Sequence, residues 1–476
     1  NELSGMKVTV MGLGLHGGGA ASARYCLARG AEVTVTDLRD EQTLQSSVED
    51  LGDLPIRFVL GRHEEEDFSG ADMVIKNPAV SRTAPFLKKA RRTETDISLF
   101  LSRLENPLTV VTGTKGKSST ASAIHHVLMD YEAGSQLGGN ITRSPLNFID
   151  GLLPEQQVVL ELSSFQLGDL VFAATHNRER GSRPSEFSLR HTPLDPTVAL
   201  ITNIYRDHQD YYGSMERYVE DKRAVYRAQS GGWSLFCGDD EYGPGFAREA
   251  RSRSFLVYGE KLARERDAVY DHNGWGILSS GNEHIPLVPP ELKVPGRHQR
   301  RNLLTAAAAA YLAGAPAELV KARIAGFPGI PHRLFYLGRL GKLRFYNDSA
   351  STIPEATEAA VQSFREPVHL ICGGTDKGLA LEPLLRAAGG SASVHLLAGG
   401  ATERLLPLLR GSGVPFFGPY TSLEELLSNC LGRVGEPAAG QVLLFSPGCS
   451  SFELFQNEFD RGNQFVSAVR ALGVNS

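Results

Sequence analysis

Short β-branched runs alternate with helical stretches over the first hundred residues. MKVTVMGLG is followed by ASARYCLARG, then AEVTVTDLR, and later by IRFVLG and ADMVIKNPAV. Apolar runs of strand length between segments of helix length predict a parallel α/β unit. The logic restarts at NPLTVVTGTKGKSSTASAIHHVLMD, with strands expected at QVVLELSS and VALITNIYRDH. It restarts again after the punctuation FPGIPHRLF, with strands near KLRFYND, VHLICGG, SVHLLAGG and QVLLFSPG. Three α/β domains are therefore expected, over 1–97, 98–329 and 330–476. THNRERGSRPSEFSLRHTPLDP, Thr175 to Pro196, is polar, basic and rich in Ser and Pro, so it predicts an exposed loop. TAAAAAYLAGAPAELVKARIAG predicts a packed helix, because alanine is the best helix former.

Length agrees with this division, since 476 residues exceed what one core supports. A 41% hydrophobic and 22% charged composition is that of an ordinary globular chain, and a net charge of −5 gives no global pull toward nucleic acid or anionic membrane. The arginines of 175–196 have no aromatic stacking platform beside them, which argues against a nucleic-acid patch. The five cysteines are widely spaced without a C-x-x-C pair, which predicts neither disulfide framework nor zinc knuckle and points to a reducing cytoplasm. The first residues run straight into a strand pattern, and no apolar stretch approaches membrane length, so secretion and membrane insertion are not expected.

Two glycine-rich turns carry the candidate chemistry. VVTGTKGKSSTAS joins a strand to a helix through Gly113, Thr114, Lys115 and Gly116, followed by Lys117, Ser118 and Ser119. Backbone amides and a helix N-terminus there suit phosphate oxygens, Lys117 adds a full charge, and the Ser118 hydroxyl suits Mg²⁺. The strict P-loop pattern needs Gly at position 111, where Val111 stands. The fragment alone fits a shortened phosphate loop or a tight turn with a solvated lysine. GLGLHGGGA places Gly12, Gly14 and Gly17 in the dinucleotide spacing, with Asp37 ending the next strand. That geometry serves any diphosphate on a helix N-terminus. Glu161 ends an apolar strand, where an ionised carboxylate is costly unless it meets a cation, making it a natural Mg²⁺ ligand. Asp207, His208 and Asp210 follow a later strand, with Lys222 on the next helix.

Read together, GTKGKSS, GGN, ELSSFQL, ITNIYRDHQD with Lys222, GRHQRRN, PHR, NDS, GGTDKG and SPGCSSFELFQNEFDRGNQF stand in the order found in the Mur ligases. The chain resembles that family along essentially its whole length, which implies an α/β chain with Rossmann-like first and third domains and a P-loop ATPase-like α/β middle domain. SSFQL and the last block most resemble the branch that joins D-glutamate to UDP-N-acetylmuramoyl-L-alanine. The resemblance implies an ADP-forming amide ligase of peptidoglycan precursor synthesis, cytoplasmic and monomeric, that activates the substrate carboxylate as an acyl phosphate. It implies that Gly14, Leu15, His16, Asp37, Leu38, Arg39, Asn140, Ser163 and Gln166 face the UDP substrate. The turn from Gly113 to Ser119, with Asn302, Arg333 and Asp348, would hold ATP. Lys117, Glu161, His208 and Lys222 would be catalytic, with one Mg²⁺ by Ser118 and Glu161 and a second by His208. The lysine at position 222 would be carbamylated and support the metal-bound phosphate. Thr352, Lys377 and Ser451 would hold the incoming amino acid.

Departures from the family pattern fall near these sites. Ala350 stands where a lysine is frequent, Asn77-Pro78-Ala79 where Ser-Pro-Gly is frequent, and Gln299 where an Asn is frequent. D-glutamate is the expected acceptor, with L-glutamate or another amino acid as the alternative. A folylpolyglutamate-type ligase would not need the first diphosphate turn. A nicotinamide dehydrogenase would leave the second turn and the Asp-His-Lys set unexplained.

Overall fold

The computed structural model describes residues 2–15, 17–141, 143–181, 194–259, 267–435 and 439–474. His16 and the stretch 182–193 lie outside the described residues. The chain forms three sheets and divides into two compact units. One unit comprises Asn1–Pro290 with Arg301–Ile324, the other Glu291–Arg300 with Ala325–Ser476.

The first sheet contains β1 (Lys7–Met11), β2 (Glu32–Asp37), β3 (Ile56–Leu60), β4 (Met73–Lys76) and β5 (Thr93–Glu94), in the parallel order β3-β2-β1-β4-β5. The order reverses at β1, so the crevice at its carboxyl end is where such a sheet takes a ligand. The second sheet contains β6 (Leu108–Thr112), β7 (Ser135–Gly139), β8 (Gln157–Glu161), β9 (Val198–Ile201), β10 (Trp233–Cys237), β11 (Arg253–Val257), β12 (Asp267–His272), β13 (Trp275–Ser280) and β14 (Glu283–Val288). Its order is β14-β13-β12-β11-β10-β9-β6-β8-β7, parallel except for the antiparallel β12-β13-β14 edge. Here β6, flanked by β8 and β9, is the strand at the reversal. Strands β6, β8 and β9 are buried throughout, as strands covered on both faces must be.

These two sheets belong to one unit, and a buried ion pair ties them. Lys76 at the end of β4 donates to Asp169 Oδ2 at 2.6 Å, on the helix Ser164–Glu179, and both side chains are almost wholly buried. Removing one partner would strand a buried charge, which costs about 3–5 kcal/mol.

The other unit holds β15 (Phe335–Leu340), β16 (Leu343–Asn347), β17 (Val368–Gly373), β18 (Ser393–Leu397), β19 (Phe416–Tyr420) and β20 (Gln441–Phe445), in the order β15-β16-β20-β17-β18-β19. Only the β15-β16 pair is antiparallel.

Two expectations need correction. The helix Ser164–Glu179 runs five residues into the stretch expected to be loop. Asn177 holds it there: its Oδ1 accepts from the Thr93 amide at 2.8 Å and its Nδ2 donates to the Thr93 carbonyl at 2.9 Å, completing the sheet edge at β5. The alanine-rich stretch is two helices, Arg297–Leu312 and Ala317–Gly326, broken where Gly314 and Pro316 cannot continue the ladder.

Candidate active site

The turn after β6 enters the helix Lys117–Leu128 through Gly116, whose φ of +84° an L side chain rarely adopts. A β-carbon there would come within 2.4 Å of Asn302 Oδ1, so glycine lets the helix carrying Asn302 close on the turn. The segment after β9 fixes the loop. Asn203 Oδ1 accepts from the Lys115 amide at 2.9 Å, and Thr202 Oγ1 and Asn203 Nδ2 donate to the Lys115 carbonyl at 2.7 and 2.9 Å. Thr114 Oγ1 accepts from the Tyr205 amide at 3.0 Å and pairs with the Tyr218 hydroxyl at 2.9 Å. Asn203 and Tyr218 thus shape the turn without belonging to its motif. Asn203 is legible in hindsight as a polar residue closing an apolar strand. Tyr218 gives no signal before the packing is known.

Three charged side chains gather at this turn. Lys117 is half-buried, donates through Nζ to the Thr114 carbonyl at 3.0 Å, and burial lowers its pKa. Glu161 at the end of β8 is 1% exposed; its Oε1 accepts from Asn140 Nδ2 at 3.1 Å, while its Oε2 is buried with no hydrogen-bond partner. A carboxylate oxygen in that state is strongly disfavoured unless a cation or donor arrives. Lys222 lies on the helix Met215–Arg227, whose buried positions Tyr218, Val219, Lys222, Val225 and Tyr226 recur with helical period. The same periodicity that buries the tyrosines turns Lys222 inward. Its Nζ donates to the Gly113 carbonyl at 2.9 Å and lies 4.8 Å from the Tyr218 ring centroid. Burial, and then the nearby Lys117 charge, pull its pKa down to about 7.

His208 is less enclosed, with its side chain 47% exposed and its ring edge-on to Phe165 at 5.0 Å. It sits in the left-handed region, seven residues beyond Ile201 at the end of β9, rather than at the strand end itself. Asp207 reaches Lys115 at 3.4 Å, and Asp210 is exposed. Ser118 and Ser119 are half-buried in the first helical turn. Among the described residues no three His, Cys, Asp or Glu side chains cluster as a metal cage. Any ion here would draw further ligands from a phosphate.

The turn after β1 is organised by an acid rather than by lysines. Asp37 is 5% exposed and accepts from the amides of Gly14 at 3.2 Å and Arg39 at 3.0 Å, and from the Arg39 guanidinium at 3.3 Å. Burial pushes its carboxyl up, but these donors outweigh burial and hold it below the usual carboxylate range. Leu15 and Leu38 are 48% and 69% exposed, and Leu38 lines an adjoining cavity of about 430 Å³. Asn140 follows β7, its amide donating to the Glu161 carbonyl at 2.7 Å and its side chain to Glu161 Oε1, which places it beside Glu161 rather than at the turn after β1. Ser163 and Gln166 form a capping box: the Ser163 amide donates to Gln166 Oε1 at 3.0 Å, and Ser163 Oγ accepts from the Gln166 amide at 3.2 Å. Their side chains thus start the helix Ser164–Glu179.

The remaining predicted residues belong to the C-terminal unit. Arg333 and Lys377 are exposed and Thr352 is half-buried. Asp348 is buried; it accepts from the Leu334 amide at 3.0 Å and from Ser351 and Ser446 hydroxyls at 2.5 and 2.7 Å, and burial pushes its pKa up to about 6. Ser451 is 3% exposed with its hydroxyl unpartnered. Beside it lies a residue that sequence reasoning missed. Arg461 is fully buried, yet among the described residues its guanidinium donates to neutral acceptors alone: the carbonyls of Ser349, Cys449 and Ser450 at 2.8, 3.0 and 3.1 Å and Ser349 Oγ at 3.0 Å. It pins together the segments preceding Thr352 and Ser451. Burial lowers its pKa to about 10, which leaves it charged near neutrality.

Comparison with known proteins gives the family. Residues 111–310 match the Mur ligase middle domain, and residues 6–98 match the MurD-like N-terminal domain of Mur ligases. UDP-N-acetylmuramoylalanine–D-glutamate ligase of Treponema pallidum (strain Nichols) is 41% identical, covering 99% of this chain and 98% of the relative. Enzymes of the same name from Borreliella burgdorferi (strain ZS7) and Roseiflexus sp. (strain RS-1) are 35% and 34% identical, each covering 99% of both chains. In fold, the chain is similar to the MurF ligase of Thermotoga maritima in complex with ADP, with a TM-score of 0.50 and 15% identity over 99% of this chain and 97% of that one. On full-length relatives of that identity, and on both domain matches, the chain belongs to the Mur ligase family, on its MurD-like branch.

Proposed function

We propose that this chain is the ATP-dependent, ADP-forming ligase that joins D-glutamate to UDP-N-acetylmuramoyl-L-alanine in peptidoglycan precursor synthesis, working in the cytoplasm. The full-length relatives carry that name, and the five cysteines are free and buried, as suits a reducing compartment. The MurD-like match over 6–98 covers the domain that a folylpolyglutamate-type ligase would lack. Residues 1–97 take the UDP handle, 98–329 the ATP and 330–476 the amino acid.

The observation that carries the chemistry is the pair of unsettled buried groups around one phosphate turn: Glu161 with an unpartnered oxygen and Lys222 with a pKa near 7. A carboxylate does not condense with an amine at neutral pH until its oxygen becomes a leaving group. ATP supplies that by phosphorylating it to an acyl phosphate. The amides of 113–119 and the Lys117 ammonium hold the triphosphate and oppose the charge that builds as the substrate carboxylate reaches the γ-phosphate. Asn302, packed on Gly116, flanks the nucleotide.

The donor set fits Mg²⁺, because Glu161 Oε2 is a hard oxygen with no other partner. Ser118 and Glu161 would hold one ion, His208 and a carbamylated Lys222 a second. When bound, the ions screen the phosphate charge and polarise the phosphoryl oxygens. Lys222 suits carbamylation for the same reason that it is costly as a cation. A neutral amine near pH 7 can form an N–C bond to CO₂ and lose a proton, becoming an anion beside Lys117.

In the C-terminal unit Thr352, Lys377 and Ser451 take the acceptor carboxylates, over a framework that Arg461 pins. The acceptor amine attacks the acyl carbon, and phosphate leaves the tetrahedral intermediate. The test is phosphate release from ATP and Mg²⁺ with UDP-N-acetylmuramoyl-L-alanine and, separately, D-glutamate, L-glutamate, D-alanine and L-lysine. Release with D-glutamate alone is expected. Equal release with D-alanine or L-lysine overturns the acceptor, and release without the UDP substrate overturns the ligase.

A further inference from the structure

Gly168 is buried inside the helix Ser164–Glu179, where glycine is a poor helix former and no positive φ calls for it. What calls for it is a pair of side chains crossing the helix. A β-carbon at 168 would come within 2.2 Å of Asp221 Oδ2 and 2.6 Å of Arg82 Nη1. Arg82 follows β4 of the first sheet, and Asp221 stands on the helix Met215–Arg227 beside Lys222, all within one compact unit. Arg82 Nη1 donates to Asp221 Oδ1 at 3.1 Å and Nη2 donates to Oδ2. The Tyr212 hydroxyl donates to the same Oδ2 at 2.9 Å. A two-pronged grip of this kind fixes the plane and direction of the carboxylate, which a single ammonium could not. The pair is also largely withdrawn from solvent, with side chains 21% and 13% exposed.

We infer that Arg82 is a positioning residue for Lys222: by gripping Asp221 it sets the rotation of the helix Met215–Arg227, and with it the place of the Lys222 nitrogen at the phosphate turn. The inference rests on the reading of Lys222 as catalytic. Neighbouring helical positions point about 100° apart, so the turn of helix that gives Asp221 to Arg82 gives Lys222 to the loop after β6. There Lys222 Nζ donates to the Gly113 carbonyl at 2.9 Å and lies 3.4 Å from Thr112 Oγ1. Its four-carbon stem is flexible, so the backbone beneath must be held from elsewhere. Arg82 also lies 3.5 Å from Asp169 Oδ1 through Nε, but Asp169 has Lys76 at 2.6 Å as its main partner. Loss of Arg82 therefore leaves the buried Lys76–Asp169 pair intact, and Asp221 keeps the Tyr212 hydroxyl.

Steady-state ligation by the full chain, arranged as a double-mutant cycle, tests this. Arg82→Ala should lower kcat about tenfold while the KM values for the UDP substrate and ATP stay within about twofold, the mark of a misplaced group rather than a lost ligand contact. In a Lys222→Ala background the same change should cost less than about twofold, because no lysine remains to be placed. Gly168→Ala keeps every charge and favours the helix, yet its β-carbon drives the pair apart, so it should reproduce the fall in kcat. No loss in Arg82→Ala, equal losses in both backgrounds, or a wild-type kcat in Gly168→Ala overturns the inference. Full activity in Lys222→Ala alone overturns instead the reading of Lys222 on which it rests.

Discussion

The turns after β1 and β6 share one architecture and differ in charge. Both leave the carboxyl end of the strand at which the order reverses, and both enter a helix through a left-handed glycine, Gly17 at φ +79° and Gly116 at φ +84°. The first turn is closed by a carboxylate, Asp37, which accepts from Gly14 and Arg39. The second carries Lys115 and Lys117, with Lys222 beneath it and Glu161 at the neighbouring strand end. The shared geometry presents amides to a phosphate. Added lysines and an unpartnered carboxylate are needed only where phosphate charge must change during the reaction. In this reading the first turn carries its ligand as a handle and the second does chemistry on its own.

The strongest way to break the comparison is to remove the charge that distinguishes the turns. Lys117→Ala should lower ligation by about 10³-fold, the scale of deleting a donor aimed at transition-state charge. Steady-state phosphate release checks it; near-wild-type turnover would make the second turn merely structural.

Lys222→Ala should cost about 10²-fold, with part of the activity returning in formate or acetate, which can occupy the vacated anion position. The pH dependence has a definite sign. With a pKa of about 7 the amine is mostly protonated below pH 7, and only the neutral form captures CO₂. Wild-type activity should therefore fall as pH drops through about 7. Lys222→Ala rescued by acetate should lack that step, and an identical step in both would remove Lys222 as its source.

Asp37→Asn should act on binding alone. One carboxylate oxygen becomes a donor facing donors, so the KM for the UDP substrate should rise about tenfold while kcat holds. A comparable fall in kcat would mean that the first turn also serves the chemical step.

Ala350→Lys should have the smallest effect. Arg461 already supplies a buried positive charge that hydrogen-bonds no carboxylate among the described residues, so restoring the frequent lysine should lower the KM for D-glutamate only about threefold. A change of a hundredfold would show that this chain's acceptor differs from its relatives'.

The ease with which parts of the molecule are read from sequence follows their burial. β1, β6, β8 and β9 are continuous apolar runs that end in Gly, Glu or Asn, so both strand and site residue stand out. The sequence reading leaves 233–288 without strands; at the sheet edge β14 is EHIPLV with its first half exposed, a mixed face that hides a strand, whereas the interior β10, WSLFC, is nearly all buried and is simply missed. β19, FFGPY, contains a Gly-Pro that argues against a strand, yet it survives at the edge of its sheet, where a missing amide donor costs nothing. Lys222 could be named from its motif, but its low pKa is a product of packing. Arg461 is harder still. Its neutral set of acceptors comes from neighbours distant in the chain, Ser349 and Cys449.

The division of labour between the turns is tested most directly by titrating Lys117→Ala and Asp37→Asn, each with UDP-N-acetylmuramoyl-L-alanine and with a non-hydrolysable ATP analogue in Mg²⁺. Lys117→Ala should bind the UDP substrate within about twofold of wild type and lose the nucleotide by at least about tenfold, with the pattern reversed in Asp37→Asn. Both ligands weakening together in either variant would contradict the separation of handle from reaction centre.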